Sequence, residues 1–508
     1  MTTSLTRGLG AAFAFAAIGG TASADLTAQD VWSDWKEYLS SAGYAVDGDE
    51  RMAGDVLTIE NLSVTMQAPD TDGTLSIDLD GLSFTETGDG SVSITMPARV
   101  PMTFRGEADS EGPVTGVLTY SQTGHALVAS GDPENLLYSY TAETAALDLS
   151  SLDVDGKPVA TEDAQMSFAL TNIVSSTRMT LGSIRAYAQS MTADSLEYDF
   201  AFEDPESDDN GTFSGRLERI GFDGTGAIPR QMSPDDINQM LEDGFEVDGS
   251  FTYASGASRI EGVGEGQAFA FTSASQGGSV GVRMDADQIA YDLKQTDTAL
   301  GFVGGELPFP IEMQAAQTGA SIAIPVGTSE EPQDFALGVT LTDFVMSEAL
   351  WSIFDPAAAL PRDPATLALD LSGKARVLLD FLDPEVAERL DETGETPVEL
   401  EQVTLNKLLV SLVGASLSGT GAFSFDNSDL TTFEGIPRPT GAIDLQLVGG
   451  NALLDNLLAL GFIGEAEAMT ARGMMAVLAQ PGAAPDTMNS KIEITEQGHV
   501  LANGQRFR

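Results

Sequence analysis

Apolar and polar residues alternate with period two along most of the chain, the signature of strands that bury one face. The alternation is broken repeatedly in one way: apolar-x-apolar, two spacers, apolar-x-apolar. Leu57 and Ile59 pass to Leu62 and Val64, Ile77 and Leu79 to Leu82 and Phe84, Leu147 and Leu149 to Leu152 and Val154. Val339 and Leu341 pass to Phe344 and Met346, and Val398 and Leu400 to Val403 and Leu405. Two spacers in place of one change the parity of the inward positions. A β-bulge does the same when it re-aims side chains and bends a strand. The recurrence predicts a curved sheet. The dipeptides Asp72-Gly73, Asp80-Gly81, Asp155-Gly156, Asp223-Gly224 and Asn503-Gly504 read as hairpin turns.

Helical spacing is confined to short segments. Thr27 to Asp30 gives an N-cap with an acidic first turn, followed by Val31, Trp35, Tyr38 and Leu39 on one side and Gly43 as the stop. Ser233-Pro234-Asp235-Asp236 is a second start, leading to Ile237, Met240 and Leu241 and a stop at Gly244. Residues 348–354, around Trp351, and 384–390 are two more. Residues 451–460 and 465–478 form a helical pair broken at Gly461 and Gly464. The pair reads as a layer on the sheet, or as a lid over an apolar groove. The predicted fold class is mainly β (α+β): curved, bulged antiparallel sheets with a few short covering helices. No period of 20–50 residues is strict enough for a solenoid. A weak boundary near Ile228-Pro229-Arg230 separates an N-terminal β-rich lobe, 25–230, from a C-terminal one, 231–508, which holds the helical pair within 451–480.

The first 24 residues read as a secretory signal peptide. Arg7 supplies the positive start, residues 11–18 (AAFAFAAI) the short apolar core, and Ala22-Ser23-Ala24 the small-x-small cleavage pattern. That core is far below the ~20 residues of a spanning helix, and the richest later stretch, 408–417, is too short as well. The mature chain is expected to be periplasmic, with secretion to the medium as the other destination, and without a transmembrane segment.

Composition narrows the chemistry. The 508 residues include no Cys and two His, which removes disulfides, thiol catalysis, thiolate zinc and most imidazole metal sites. The formal net charge of −53 opposes binding to nucleic-acid phosphates. A hydrophobic content of 42% is enough for a large core, so the acidity is not that of a disordered chain. Three constellations remain. Gly277-Gly278-Ser279-Val280-Gly281 matches a nucleophile elbow, but alternation continues through Met284, so a strand rather than a helix is expected to leave. The only bases for such a serine are His125 and His499. Glu206 to Gly211 resembles the front of a calcium loop, yet its twelfth position is Leu217 and Glu218 comes one residue late. Asp78, Asp80, Asp148, Asp153, Asp155, Asp285 and Asp287 fall on the polar parity of strands and read as a solvated face.

The chain resembles the DUF2125 family of exported alphaproteobacterial proteins. The resemblance rests on Leu350-Trp351 through Asp355-Pro356, Pro361-Arg362-Asp363-Pro364 and Leu367, and on residues 441–480, 490–507 and 233–253. It is a pattern of apolar, Gly and Pro positions without a catalytic motif, so it implies no site residues. The general look is also similar to β-rich envelope proteins of the AsmA kind, an analogy of fold alone. The expected function is non-enzymatic, with no catalytic residue, cofactor or metal. The chain would be an envelope scaffold or carrier whose partners are an apolar or lipid-like ligand and another envelope protein. The alternatives are a serine hydrolase using Ser279 and a surface adhesin or structural protein.

Overall fold

The computed structural model describes residues 25–507 except 68–72, 80, 109–111, 204–206, 208, 232–236, 306–308 and 394–395. The signal-peptide reading, Asp80, and the start of the Ser233 helix lie outside the described residues. Among those described are six short helices: α1 (Ala28–Ser41), α2 (Ile237–Glu242), α3 (Glu348–Phe354), α4 (Pro384–Thr393), α5 (Gly450–Ala459) and α6 (Glu465–Leu478). α1 begins with the expected capping box. The Thr27 hydroxyl accepts from the Asp30 amide at 3.2 Å, and the Thr27 amide donates to the Asp30 carboxylate at 3.0 Å.

All the described strands join one antiparallel sheet. Its ladder runs across the weak boundary at residue 230, because Asn210–Pro229 pairs with Glu246–Tyr253. Several long strands are bent at mid-length by one residue in the left-handed region: Asn61, Asn172, Arg219, Asp297 and Asp343, with φ from 46 to 53°. Four of the five are Asn or Asp, the side chains that tolerate this conformation best after glycine. The bends align across neighbouring strands. Asn172 falls opposite the Glu143 step and Arg219 opposite the Asp194 step, where the registers skip one pair. The Asn172 amide donates to Asp194 at 2.7 Å along this line.

Elsewhere two shorter strands replace one long one, and the break between them falls on the same line. Glu246–Tyr253 and Ser255–Gly264 share Asn210–Pro229 in this way. Gly278–Met284 and Gln267–Ser275 share Gln288–Gly304. A crease thus runs along the sheet and folds it into a trough with two walls. Past Asp343 the chain leaves the crease into α3, and the strands from Ala365–Val377 onward continue the second wall.

The five phase slips of the sequence all fall where the strands bend or break: at Asn61, between the strands that end at Leu79 and begin at Leu82, and at register shifts opposite Leu149, at Asp343 and beside Glu401. Asp223-Gly224 is a correction. It lies inside Asn210–Pro229, paired with Ser190 and Gln189, and makes no turn. Gly224 is there for space, since a Cβ would stand 3.1 Å from the Phe222 ring. Asp155-Gly156 and Asn503-Gly504 do turn, each residue with positive φ.

Candidate functional site

Directly paired residues of an antiparallel ladder point to the same face, so the register traces lines of side chains across the sheet. One line on the second wall reads Ser175, Met191, Phe222, Phe251, Val280, Leu293, Ala320, Val339, Leu369, Leu408. The line one residue away faces the other side and reads Ser176, Ser190, Asp223, Ser250, Gly281, Asp292, Ser321, Gly338, Asp370, Lys407. Ten strands in succession therefore keep one face apolar and the other polar. From Ser175 the apolar line also runs back through Tyr140, Leu127, Ile94, Phe84 and Leu57.

The first wall carries its own line: Met166, Phe200, Phe213, Ile260, Phe271, Phe302, Ile311. The Phe200 and Phe213 rings stack at 5.9 Å, and Phe168 stands edge-on to Phe200 at 5.1 Å. Both walls turn their apolar lines to the inside of the crease. Ala142, Ile173, Ala193 and Ile220, which flank it on that face, are buried together. The crease residues Asn172, Asp194, Arg219 and Asp297 are exposed on the outside. Glycines keep the walls low. Tyr198 lies over its paired Gly215, where a Cβ would come within 2.3 Å of the phenol oxygen and 2.7 Å of the Ala257 carbonyl.

At the N-terminal end a helix covers the trough. α1 lays Val31, Trp32, Trp35 and Leu39 against Leu57, Ile59, Phe84 and Ile94. Three charged residues on the inner face, Glu50, Glu86 and Arg185, all hold this helix. Glu50 accepts from Trp32 Nε1 at 2.8 Å and from Lys36 at 2.6 Å, and Glu86 accepts from the Ala28 amide at 3.0 Å. Arg185 pairs with the buried Asp34 at 2.7 Å. Burial pushes the Asp34 carboxyl up, more than Arg185 and the Tyr138 hydroxyl bring it down. Outside the trough, Arg230 pairs with Glu37. Between α1 and the two walls lies a cavity of about 530 Å³, bounded by Trp35, Tyr38, Leu62, Ile77, Tyr140 and Met179 among others.

Beyond Arg185 the inner face carries no other charged side chain among the described residues, from Ala164–Leu181 to Thr487–Ile494. Among the described residues the middle of this stretch is open, while at its far end the inner-face Ser490 donates to the Leu478 carbonyl of α6 at 2.6 Å. Tyr291 is 48% exposed, Leu293 49% and Ile322 40%. The helical pair packs α5 on α6 near Gly450 and Met475, and leaves Phe462, Met469 and Val477 exposed. No helix among the described residues is long and apolar enough to cross a membrane.

The sequence-derived candidates do not converge. Ser279 sits within the strand Gly278–Met284, paired with Thr252 and Lys294 on the polar face, and a strand does leave it. Five strands separate it from the turn holding His125 and seven from the turn holding His499. Glu206 and Asp208 of the calcium-like loop lie outside the described residues, and Leu217 and Glu218 are strand residues. Asp78 and Asp148 accept from Ser63 and Ser167 on the polar face, and Asp285 closes its own turn through the Asp287 and Gln288 amides. No group of three or more possible metal ligands occurs among the described residues.

One polar knot gave no signal as chemistry. Asp355, buried after α3, accepts from the Ala359 and Leu360 amides at 2.9 Å each and from Arg362 at 2.7 Å. The Arg362 guanidinium lies 4.2 Å above the Trp351 ring. Burial pushes the Asp355 carboxyl up, but the two amides and Arg362 outweigh it and leave it below the ordinary value. All its acceptors are used, so the knot shapes the turn out of the crease.

Residues 245–502 match the family model described as "Uncharacterized protein conserved in bacteria (DUF2125)". No curated protein and no solved structure matches the chain.

Proposed function

The chain belongs to the DUF2125 family of proteins conserved in bacteria, and from that premise we propose that it is an exported, non-enzymatic envelope protein that carries an apolar, lipid-like ligand in its trough. The observation that carries this reading is the apolar inner face, continuous over ten strands, backed by a polar outer face and open to water around Val280, Leu293 and Ile322. An apolar surface of that extent left in water marks a site of interaction. Its lining is free of charge in a chain of net charge −53, so the acid has been kept off the one surface a hydrocarbon would touch. Export follows from the N-terminal pattern of Arg7, the apolar run 11–18 and Ala22-Ser23-Ala24.

The test is mass spectrometry of small molecules that co-purify with the mature protein from a periplasmic extract, beside an unrelated acidic control. A stoichiometric long-chain compound, absent from the control, is expected. A ligand-free protein, indistinguishable from the control, would overturn the carrier reading and leave a scaffold.

A further inference from the structure

We infer that the open stretch takes several acyl chains at once, the tails of lipids whose head groups stay outside the trough, rather than one ligand in one pocket. This rests on the carrier reading and specifies its occupant. Ser175 borders the cavity under α1 and Ser490 bonds α6; between them, from Met191 to Leu445, the apolar line crosses ten inter-strand steps, which at about 4.8 Å each is roughly 48 Å. One leaflet of a bilayer holds its chains within about 15 Å, so the floor is several chain-lengths long.

Among the described residues no charged side chain divides the floor. A site for one molecule fixes it with a few placed polar groups. Here the charged inner-face groups Glu50, Glu86 and Arg185 are gathered at the α1 end and spent on the helix. Along the remaining floor Val280, Leu293, Val339 and Leu369 follow one another across strands without a charged side chain between them. Polar groups of this face, Tyr253, Ser275 and Gln295, bond one another at the crease at 3.1 Å and leave the wall beside them without a charged anchor, so chains would line up along it. A charged head group has no partner on this floor and stays in water. The α1 end shows what ends the row, because there the chain's own helix occupies the same face.

The experiment is native mass spectrometry of the full mature chain after incubation with vesicles of a single phosphatidylcholine. Three or more lipids per chain are expected at saturation. Leu293→Asp, which puts a charge in the middle of the floor at a half-exposed position, is expected to lower the maximum count while the first lipid still binds. Lys294→Glu, the adjacent residue on the outer face, is expected to leave the count unchanged. Near-UV circular dichroism checks that the variants fold, and Leu293→Gln replaces the aspartate variant if it does not. Saturation at one lipid, or a count indifferent to Leu293→Asp, would overturn the inference and leave the carrier standing. No bound lipid in the parent protein would remove both.

Discussion

The two stretches of the trough share one face pattern and differ in what lies on it. At the α1 end, Trp32, Leu57, Ile59 and Phe84 are essentially inaccessible. In the stretch around Val280, Leu293 and Ile322, residues on the same inner face stand 38–49% exposed. Apolar lining alone does not decide between these fates. The α1 end also carries Glu50, Glu86 and Arg185, which satisfy an indole N–H, a helix N-terminal amide and a helix carboxylate. The open stretch offers a helix no such anchors. A covering element has to bury its polar groups with partners; the α1 end supplies three charged ones, the far end supplies Ser490 to α6, and the middle supplies no charged one. The family match begins at residue 245, with the strand Glu246–Tyr253, and so spans the open stretch and not α1.

The contrast can be broken or sharpened by measurement. The largest effect is expected at the covered end. Trp32→Ala removes a side chain that is 1% exposed and should cost about 3–5 kcal/mol in urea denaturation. Acid separates the two buried aspartates. Asp355 has a depressed pKa in the folded state, so its contribution is present above the unfolded value near 3.9 and is lost as pH falls through the folded one. Asp34 is raised, so the folded state holds its proton more tightly, and its protonation, although it neutralises one side of the Arg185 pair, costs no folding stability through this group. Hydrogen exchange as the pH is lowered from 5 to 2 is expected to show the Ala359 and Leu360 amides losing protection before those of α1. The opposite order would contradict this account. The smallest effect is expected on the open floor, where Leu293→Ala should change stability by no more than about 0.5 kcal/mol. A loss of several kcal/mol there would mean that the face is covered after all.

Much of this was legible in the sequence. The capping box at Thr27, the limits of α3 and α6, and the five phase slips are local signals, written in spacing. The slips at Asn172, Asp194 and Asp297 were hidden, because inward positions near them are Ser175, Ala193, Gln295 and Thr298, too polar or too small to mark a parity. Asp223-Gly224 misled for a related reason: glycine there serves an aromatic neighbour, and a turn and a ring leave the same residue behind. The site itself was out of reach. Period two reports that a face is apolar. Whether that face is buried depends on anchors such as Arg185, which reaches Asp34 across 151 positions of the chain.

The single ladder has a last consequence. Among the described residues no second sheet lies behind it, so each strand is coupled mainly to its two neighbours, as in a linear array of repeats. Removing or inserting one hairpin changes the length of the row by about 10 Å and leaves the parity of every other strand intact. The capacity of such a molecule is therefore adjustable in increments, and its size is a count of hairpins rather than the volume of a core.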